Sequence, residues 1–513
     1  MNRVKTRALF AIALMVVAVV GVGGPVAMVA TDQPARDQAA PARPSRGAVE
    51  PPLWLPDEAY VRAALPPGAE KYAAISGKHI KDLLKEAVNI SRQYRDEGNQ
   101  FWGRITGFKS DQMTKQWLLG HYRRIGLEKV HLQEFDMPPQ WTATSFEASI
   151  TGAGKTVPLT SIYPMFLSSG TPAAGVDLDP VWVGFGTAAD FMGRDVKGKV
   201  VFIHGLPTPG GRNYSAAWNG AIERAEKGGA AFVVVQMGAA GTNAKSQPGG
   251  EGGDGAETPV PRMAIGAQDG TTVREMIEQG VAPKVHLKLE VKKVPNLKTA
   301  SVWGELPGMT DENIVIMSHD DGFFDGALDN ASGMAGMLAL AEYYAKVPRA
   351  QRRRTLTFLV TPGHHAGGQG IRWVHEHRDT VLAKTALILN CEHFSQTQTY
   401  WLGAGLMPSN TISAKRWYVG GSDQLTQIAT KTFREFGVAL YSRPEARPGG
   451  ELSQVYTDAP SLHIIDHIFY HTDMDTPELV PESGLDSGVR AYARIIDEVN
   501  KLDIAALRRP STN

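Results

Sequence analysis

Apolar residues recur along this chain with two periods, one typical of helices and one typical of strands. In residues 78–94 they recur every three or four positions, which predicts an amphipathic helix. A second helix is predicted from Ser110, a suitable N-cap residue, to Gly126. In residues 130–135 apolar and polar residues alternate, as expected of a half-buried strand. These elements predict the start of an α/β domain.

The C-terminal half alternates short apolar strands with helices. The predicted strands are 313–317, 355–360 and 386–389, and the predicted helices are 332–345, 367–377 and 488–502. Such alternation favours a parallel sheet, with ligands bound at the carboxyl ends of its strands. We therefore predict an α/β fold with a mixed, mainly parallel sheet flanked by helices.

Residues 161–295 have a strand and helix pattern of their own. Apolar strands are predicted at 200–203 and 230–235 with a helix between them, and a Gly-rich loop follows at 238–258. The order of elements resembles the protease-associated domain that is inserted in many exported peptidases. The alternative is an ordinary α/β insert without a binding role. The predicted catalytic domain then consists of two parts, 71–160 and 296–505.

The N-terminus has the layout of a secretory signal peptide. Arg3, Lys5 and Arg7 precede an apolar run at 8–22, and small residues continue to Ala30. We predict a signal peptide over 1–30, a flexible linker over 31–70, and export to the periplasm or the extracellular space. An uncleaved membrane anchor is the alternative.

Composition excludes several classes of protein. Lys plus Arg and Asp plus Glu both number 53, so no excess of charge indicates a nucleic acid or an anionic membrane as partner. The single cysteine, Cys391, excludes a disulfide scaffold and cysteine-rich metal sites. Any metal ion must therefore be held by histidines and carboxylates.

Two neighbouring strings of residues, at a predicted strand end and helix start, contain side chains suited to binding a metal ion. Ser318-His319-Asp320-Asp321 follows a predicted buried strand, and Asp329-Asn330-Ala331-Ser332-Gly333 begins a predicted helix. Imidazole and carboxylate from neighbouring loops are suitable ligands for one divalent cation. Asp321 is placed to hydrogen-bond the far nitrogen of the His319 imidazole.

These strings resemble the co-catalytic zinc aminopeptidase family, which also includes glutamate carboxypeptidases, glutaminyl cyclases and the catalytically silent transferrin receptors. A further match is Tyr470-His471-Thr472-Asp473 with Asp475-Thr476 after it. The resemblance implies up to two zinc ions, with Asp329 bridging them. It also implies that His319 binds one ion and His471 the other.

Two positions depart from the family pattern. Where the family has a Glu-Glu pair, a general base followed by a ligand, this chain has His364-His365, and Glu392 stands where an Asp ligand is usual. We expect one ion at His319, Asp329 and Glu392, and the other at Asp329, His365 and His471. Three interpretations of His364 stay open: it acts as the general base, it marks a site that has lost hydrolysis, or it is an added ligand that changes the metal.

The resemblance implies hydrolysis of a peptide or N-acyl amide bond, most simply by an exopeptidase of the aminopeptidase type, through a water activated by the metal. His364 and Asp321 are the predicted catalytic residues, and Tyr456 is a candidate for substrate binding. His393, His463 and His467 are predicted to be structural. The alternative function is a catalytically silent binding protein. The sequence carries no indication of oligomeric state.

Overall fold

The computed structural model describes residues 54–205, 220–237, 242–247, 256–402 and 405–509. The predicted signal peptide and the linker up to residue 53 lie outside these residues. Within them, no helix is both long and apolar enough to cross a membrane. Residues 54–70, predicted as the end of the linker, contact the folded body: Tyr60 hydrogen-bonds Thr397, and Arg62 forms ion pairs with Glu482 and Asp486.

The strands alternate with helices along most of the described chain. The strands, in chain order, are β1 Gly103–Arg104, β2 Glu128–Asp136, β3 Gln140–Gly152, β4 Lys155–Pro158, β5 Tyr163–Pro164, β6 Val176–Leu178, β7 Pro180–Trp182, β8 Val200–His204, β9 Phe232–Gln236, β10 Arg262–Ile265, β11 Lys284–Val294, β12 Lys298–Leu306, β13 Asn313–His319, β14 Gly322–Phe323, β15 Thr355–Thr361, β16 Thr385–Asn390, β17 Thr397–Leu402, β18 Gly405–Ile412, β19 Arg416–Gly420 and β20 Ser461–Ile465. The α-helices are Gly77–Asp96, Lys109–Ile125, Ala188–Phe191, Ala221–Lys227, Ala267–Glu278, Ser332–Ala345, Gln369–Glu376, Arg378–Val381, Asp423–Glu435, Glu482–Val499 and Ile504–Leu507.

The largest sheet has seven strands in the order β19-β20-β16-β13-β15-β12-β2. Its four central strands run parallel, and β19, β12 and β2 pair antiparallel at the edges. The fold is therefore mixed α/β with a mainly parallel central sheet, as predicted.

Helices cover this sheet on both sides because successive residues of a buried strand point to opposite faces. On β13, Ile314 and Ile316 belong to the large core formed with the helices Gly77–Asp96, Ser332–Ala345 and Glu482–Val499. Val315 and Met317 belong to a smaller core with the helix Gln369–Glu376. Strands buried on both faces explain the continuous apolar runs in the sequence.

Two smaller sheets lie between β2 and β12 along the chain. One has the order β5-β10-β9-β8-β7, and the other has the order β4-β3-β11-β6. The long antiparallel pair β3–β11 joins Gln140–Gly152 to Lys284–Val294. The segment predicted as an insert at 161–295 therefore pairs with a strand that begins at Gln140.

Element boundaries differ from the sequence predictions at several ends. Ser110 is not the N-cap of the second helix: the helix begins at Lys109, and the Ser110 hydroxyl accepts a hydrogen bond from the backbone N–H of Ile105. Gly126 does end this helix, in the left-handed conformation that glycine adopts without strain. The last long helix begins earlier than predicted, at Glu482.

Candidate metal centre

The carboxyl ends of the parallel strands meet at one edge of the main sheet and bring the candidate residues together. His319 is the last residue of β13, His364 and His365 follow β15, and Glu392 follows β16. His471 lies in the loop beyond β20. All five side chains are buried.

Asp329 sits at the centre of this group, in the turn Ala327–Ala331 that precedes a long helix. The carboxylate of Asp475 supports the turn by accepting hydrogen bonds from the backbone N–H groups of Leu328 (2.7 Å) and Asp329 (3.1 Å). The buried guanidinium of Arg104 donates to the carbonyl oxygens of Asp320, Asp325 and Gly326.

The two carboxylate oxygens of Asp329 face different histidines. Oδ1 lies 3.3 Å from His319 Nε2 and 3.4 Å from His393 Nε2. Oδ2 lies 3.5 Å from His365 Nε2 and 3.4 Å from His471 Nε2. Neither oxygen accepts a hydrogen bond from the residues that the structure describes. A buried carboxylate in such surroundings is suited to bridging two cations.

His319 is oriented through both of its ring nitrogens. Nδ1 lies 3.2 Å from Asp321 Oδ1, and Nε2 lies 3.1 Å from Glu392 Oε1. The side-chain amide of Asn390 donates to the other oxygen of Glu392 at 2.7 Å. If Nδ1 donates its proton to Asp321, Nε2 presents a lone pair to a cation, as in most histidine metal sites.

Asp321 also holds the turn that carries the histidine pair. Its carboxylate accepts the backbone N–H of His364 at 3.2 Å and that of His365 at 2.7 Å. One side chain therefore positions three imidazoles. Asp321 contacts His319 as predicted, and its role in the turn was not anticipated from the sequence.

His364 lies between His319 and a second buried carboxylate. Its ring stacks on that of His319, with centroids 4.2 Å apart, and its Nδ1 lies 3.3 Å from Glu451 Oε1. Glu451 is fully buried, and neither of its oxygens accepts a hydrogen bond within the described residues. It belongs to the short helix Gly450–Gln454, which comes just before β20.

The carboxylates and imidazoles shift one another's pKa values. Burial would raise the pKa values of Asp329 and Glu392, but the nearby imidazoles outweigh it: the pKa of Asp329 falls well below its usual range and that of Glu392 falls to about 2. Burial and the neighbouring His365 lower the pKa of His471 to about 3. Burial would also lower the pKa of His319, but its contacts with the carboxylates of Asp321, Asp329 and Glu392 raise it well above the usual value. A cation bound here would displace that proton.

The donor atoms fit a small divalent cation such as zinc. Bonds of about 2.0–2.1 Å to nitrogen and oxygen place the corners of a tetrahedron about 3.3 Å apart. The separations of 3.1–3.5 Å around Asp329 and Glu392 match that edge and are long for charge-assisted hydrogen bonds. Among the residues that the structure describes, three groups of three have donor atoms within 4.8 Å of one another: His319, Asp329 and His365; His319, His364 and Glu392; Asp329, Glu392 and His393.

The structure thus brings together His319, Asp321, Asp329, His364, His365, Glu392 and His471. Tyr456 lies outside this group: its side chain is 77% exposed, and its ring packs edge-on against His375. Two members, His393 and Glu451, were not predicted from the sequence. His393 directly follows a predicted ligand, which was the one signal in its favour. Glu451 lies 87 positions after His364, which it contacts, and no predicted strand end marked it as a member.

Comparisons with known proteins relate part of the sequence, and the fold, to peptidases. Residues 301–487 match the model of Peptidase family M28. Human Carboxypeptidase Q is 23% identical over 296 residues, which cover 56% of this chain and 61% of that protein. The aligned region thus spans less than two thirds of the curated relative.

Solved structures share the fold at low sequence identity. BSAP, a zinc aminopeptidase from Bacillus subtilis, is 18% identical, with a TM-score of 0.57 over 84% of this chain and 98% of that one. A Peptidase M28 precursor from Shewanella amazonensis is 19% identical, with a TM-score of 0.64 over 85% of this chain and 98% of that one. The chain therefore shares the fold of these structures, and its segment 301–487, which contains every predicted metal ligand, is similar to Peptidase family M28.

Proposed function

We propose that this chain is an exported, zinc-dependent metallopeptidase that removes residues from a peptide end, as an exopeptidase of the aminopeptidase type. The observation that carries the proposal is the carboxylate of Asp329, whose two oxygens each face two imidazoles at 3.3–3.5 Å. The similarity of residues 301–487 to Peptidase family M28 and the likeness of the fold to a zinc aminopeptidase from Bacillus subtilis support it.

Asp329, His319, Glu392, His365 and His471 would hold up to two zinc ions. When bound, zinc polarises a carbonyl group and lowers the pKa of a water molecule, so that water attacks an amide at neutral pH. The protein contributes the placement of the ions and the exclusion of bulk water by a buried site.

His364 would accept the proton of the attacking water at Nε2 and return it to the leaving amine. Its Nδ1 lies 3.3 Å from Glu451 Oε1, and the N–H of its peptide group donates to Asp321. A neutral imidazole acts as a general base near neutral pH, so a histidine can take over the role that a glutamate has elsewhere in the family.

A small apolar pocket beside the donors would contact a substrate side chain. Phe101, Trp141, Phe166 and Phe323 line it, together with Asp321 and His365. Because aromatic walls favour apolar groups, we propose an apolar residue next to the scissile bond.

The segment predicted as a protease-associated-like insert would form part of the wall around the site. Phe166 of this segment reaches the apolar pocket, and the backbone N–H of Gln247 donates to the carbonyl of His471 at 2.9 Å. We propose that this segment restricts which peptides enter.

The test is hydrolysis of a panel of aminoacyl, dipeptide and N-acyl amide substrates by the zinc-reconstituted chain. Activity that disappears on chelation and returns with zinc supports the proposal, and the preferred substrates assign the polarity. Absence of turnover on the whole panel, with zinc bound, rejects it.

A second candidate is a catalytically silent binding protein, which the replacement of the family's Glu-Glu pair by His364-His365 favours. Such a protein would bind zinc and peptides without turnover. Equilibrium binding of the same panel separates the two candidates.

A further inference from the structure

We propose that the two metal positions are unequal: His393 makes a closed, four-donor site on the Oδ1 side of Asp329, and the Oδ2 side keeps the open position. This inference rests on the proposed metal centre and goes beyond the family pattern, in which His393 has no place. It concerns which residues bind each ion, and it does not depend on which substrate is cut.

The first support is the donor geometry on the Oδ1 side. His319 Nε2 lies 3.3 Å from Asp329 Oδ1 and 3.1 Å from Glu392 Oε1, and His393 Nε2 lies 3.4 Å from the same Oδ1. Asp329, Glu392 and His393 also form one of the groups with donor atoms within 4.8 Å of one another. Three of the six edges of a four-ligand site are thus near the 3.3 Å of a tetrahedron around one ion.

The second support is the burial of the His393 ring without hydrogen bonds from the described residues. The side chain is buried, and neither ring nitrogen makes a hydrogen bond within the described residues. Burying an imidazole with no partner is unfavourable, so a buried ring that directs Nε2 at a carboxylate is best explained by a ligand between them. The neighbouring His467 differs, because its Nε2 lies 3.2 Å from Asp475 Oδ2.

The Oδ2 side has fewer donors. His365 Nε2 and His471 Nε2 approach Oδ2 at 3.5 and 3.4 Å, which with the oxygen itself gives three protein donors. Four protein ligands are typical of structural zinc sites, whereas catalytic sites have three and leave one position for water or substrate. The ion on the Oδ1 side would then be tightly held and structural, and the reactive water would belong to the other side.

His364 is the rival for the fourth donor, because it forms a group of three with His319 and Glu392. The two possibilities predict opposite results for single substitutions. If His393 is the ligand, its loss weakens the tighter site, and loss of His364 does not.

The experiment uses the full chain, stripped of metal by chelation and titrated with Zn²⁺ or Co²⁺ alone. We expect the wild type to bind two ions in two steps. The first equivalent of Co²⁺ should show the strong visible absorption of four-coordinate cobalt, and the second a weaker band. His393→Ala and His393→Gln should lower the affinity of the first step by at least about 100-fold and weaken its band.

His364→Ala should leave the first step unchanged. His121→Gln is the matched control, because His121 is a buried histidine paired with Glu86 away from the donors, and circular dichroism checks folding. Wild-type affinity and spectrum in both His393 variants overturn the inference, as does loss of the first step in His364→Ala alone. If the His393 variants do not fold, X-ray absorption of His364→Ala with one equivalent of Zn²⁺ decides: four ligands with two imidazoles support the inference, and one imidazole overturns it.

These readouts are independent of turnover. A chain that shows the expected two steps but hydrolyses nothing keeps this inference and rejects the proposed function. If the chain is an active peptidase and the His393 substitutions leave the first metal-binding step unchanged, only the inference is rejected.

Discussion

Oε1 of Glu451 lies 3.3 Å from Nδ1 of His364, and both side chains are buried. The family pattern has a carboxylate at the sequence position of His364. This chain instead places a carboxylate next to the imidazole from a distant segment, the short helix Gly450–Gln454. A carboxylate at Nδ1 fixes the tautomer and orientation of a histidine base and stabilises its protonated form.

Glu451→Gln should therefore lower turnover without releasing metal. We expect kcat to fall by about 10- to 1,000-fold, because the glutamine keeps the size of the side chain and removes its charge. Steady-state kinetics with metal analysis of the same samples provides the measurement. In a His364→Ala background, Glu451→Gln should lower kcat only slightly further, because the two residues act as a unit. Additive losses would show that Glu451 works independently of His364.

Asp321→Asn should lower the affinity of the chain for zinc. The carboxylate accepts from His319 Nδ1 and from the backbone N–H groups of His364 and His365, so its loss disturbs three imidazoles. We expect zinc affinity to fall by about 10- to 100-fold, as when other partners of metal-binding histidines are removed. Competition with a chromophoric chelator measures this. Asp311→Asn, at an exposed ion pair with Lys384, is the control, and equal affinity in both variants would contradict the role given to Asp321.

Local strings were enough to predict much of the site. His319, Glu392 and the histidine pair follow predicted parallel strands, and the carboxyl ends of such strands must meet at one edge. His393 was not predicted as a donor because the direction of its side chain depends on its backbone conformation. Its φ is 46°, a left-handed value that sequence patterns do not reveal for histidine.

Local sequence patterns also do not predict contacts between segments that are far apart in the chain. The pair β3–β11 joins residues more than a hundred positions apart, and its alternation of buried and half-buried residues was not recognised. Glu451 meets His364 only because the segment before β20 packs against the turn after β15. No periodicity in either segment encodes that contact.

Lys415→Met should stabilise the protein in a pH-dependent way. Lys415 is fully buried, and its Nζ makes no hydrogen bond within the described residues. Burial lowers its pKa to about 8 from the ordinary 10.5. Below about pH 8 the ammonium is charged in both the folded and the unfolded state. Burying that charge then destabilises the folded state by its full amount, on the order of 3 kcal/mol.

As the pH rises from about 8 to 10.5, the folded state loses this proton before the unfolded state does, and that cost disappears. The advantage of Lys415→Met in the free energy of unfolding should therefore be largest near pH 7 and shrink towards pH 10. Urea unfolding of the metal-free chain at both values is the measurement. An advantage that does not change with pH would mean that Lys415 has an ordinary pKa.

Substitutions of the histidine pair decide whether the chain is an enzyme. His365→Ala removes a proposed ligand of Asp329 Oδ2, so zinc content and activity should fall together. His364→Ala should keep the zinc and lower turnover by about 10²–10⁴-fold, the usual contribution of general acid–base catalysis.

His364→Glu restores the carboxylate of the family and places it near Glu451, where two carboxylates repel each other. We therefore expect it to be less active than the wild type, and His364→Glu with Glu451→Gln to recover activity by removing that repulsion. Initial rates on the substrate panel, with metal content measured in parallel, test the series. Full activity in His364→Ala would show that the proton acceptor lies elsewhere. A wild type without activity beside an active His364→Glu would establish the binding protein, because only the missing carboxylate would then separate this chain from a peptidase.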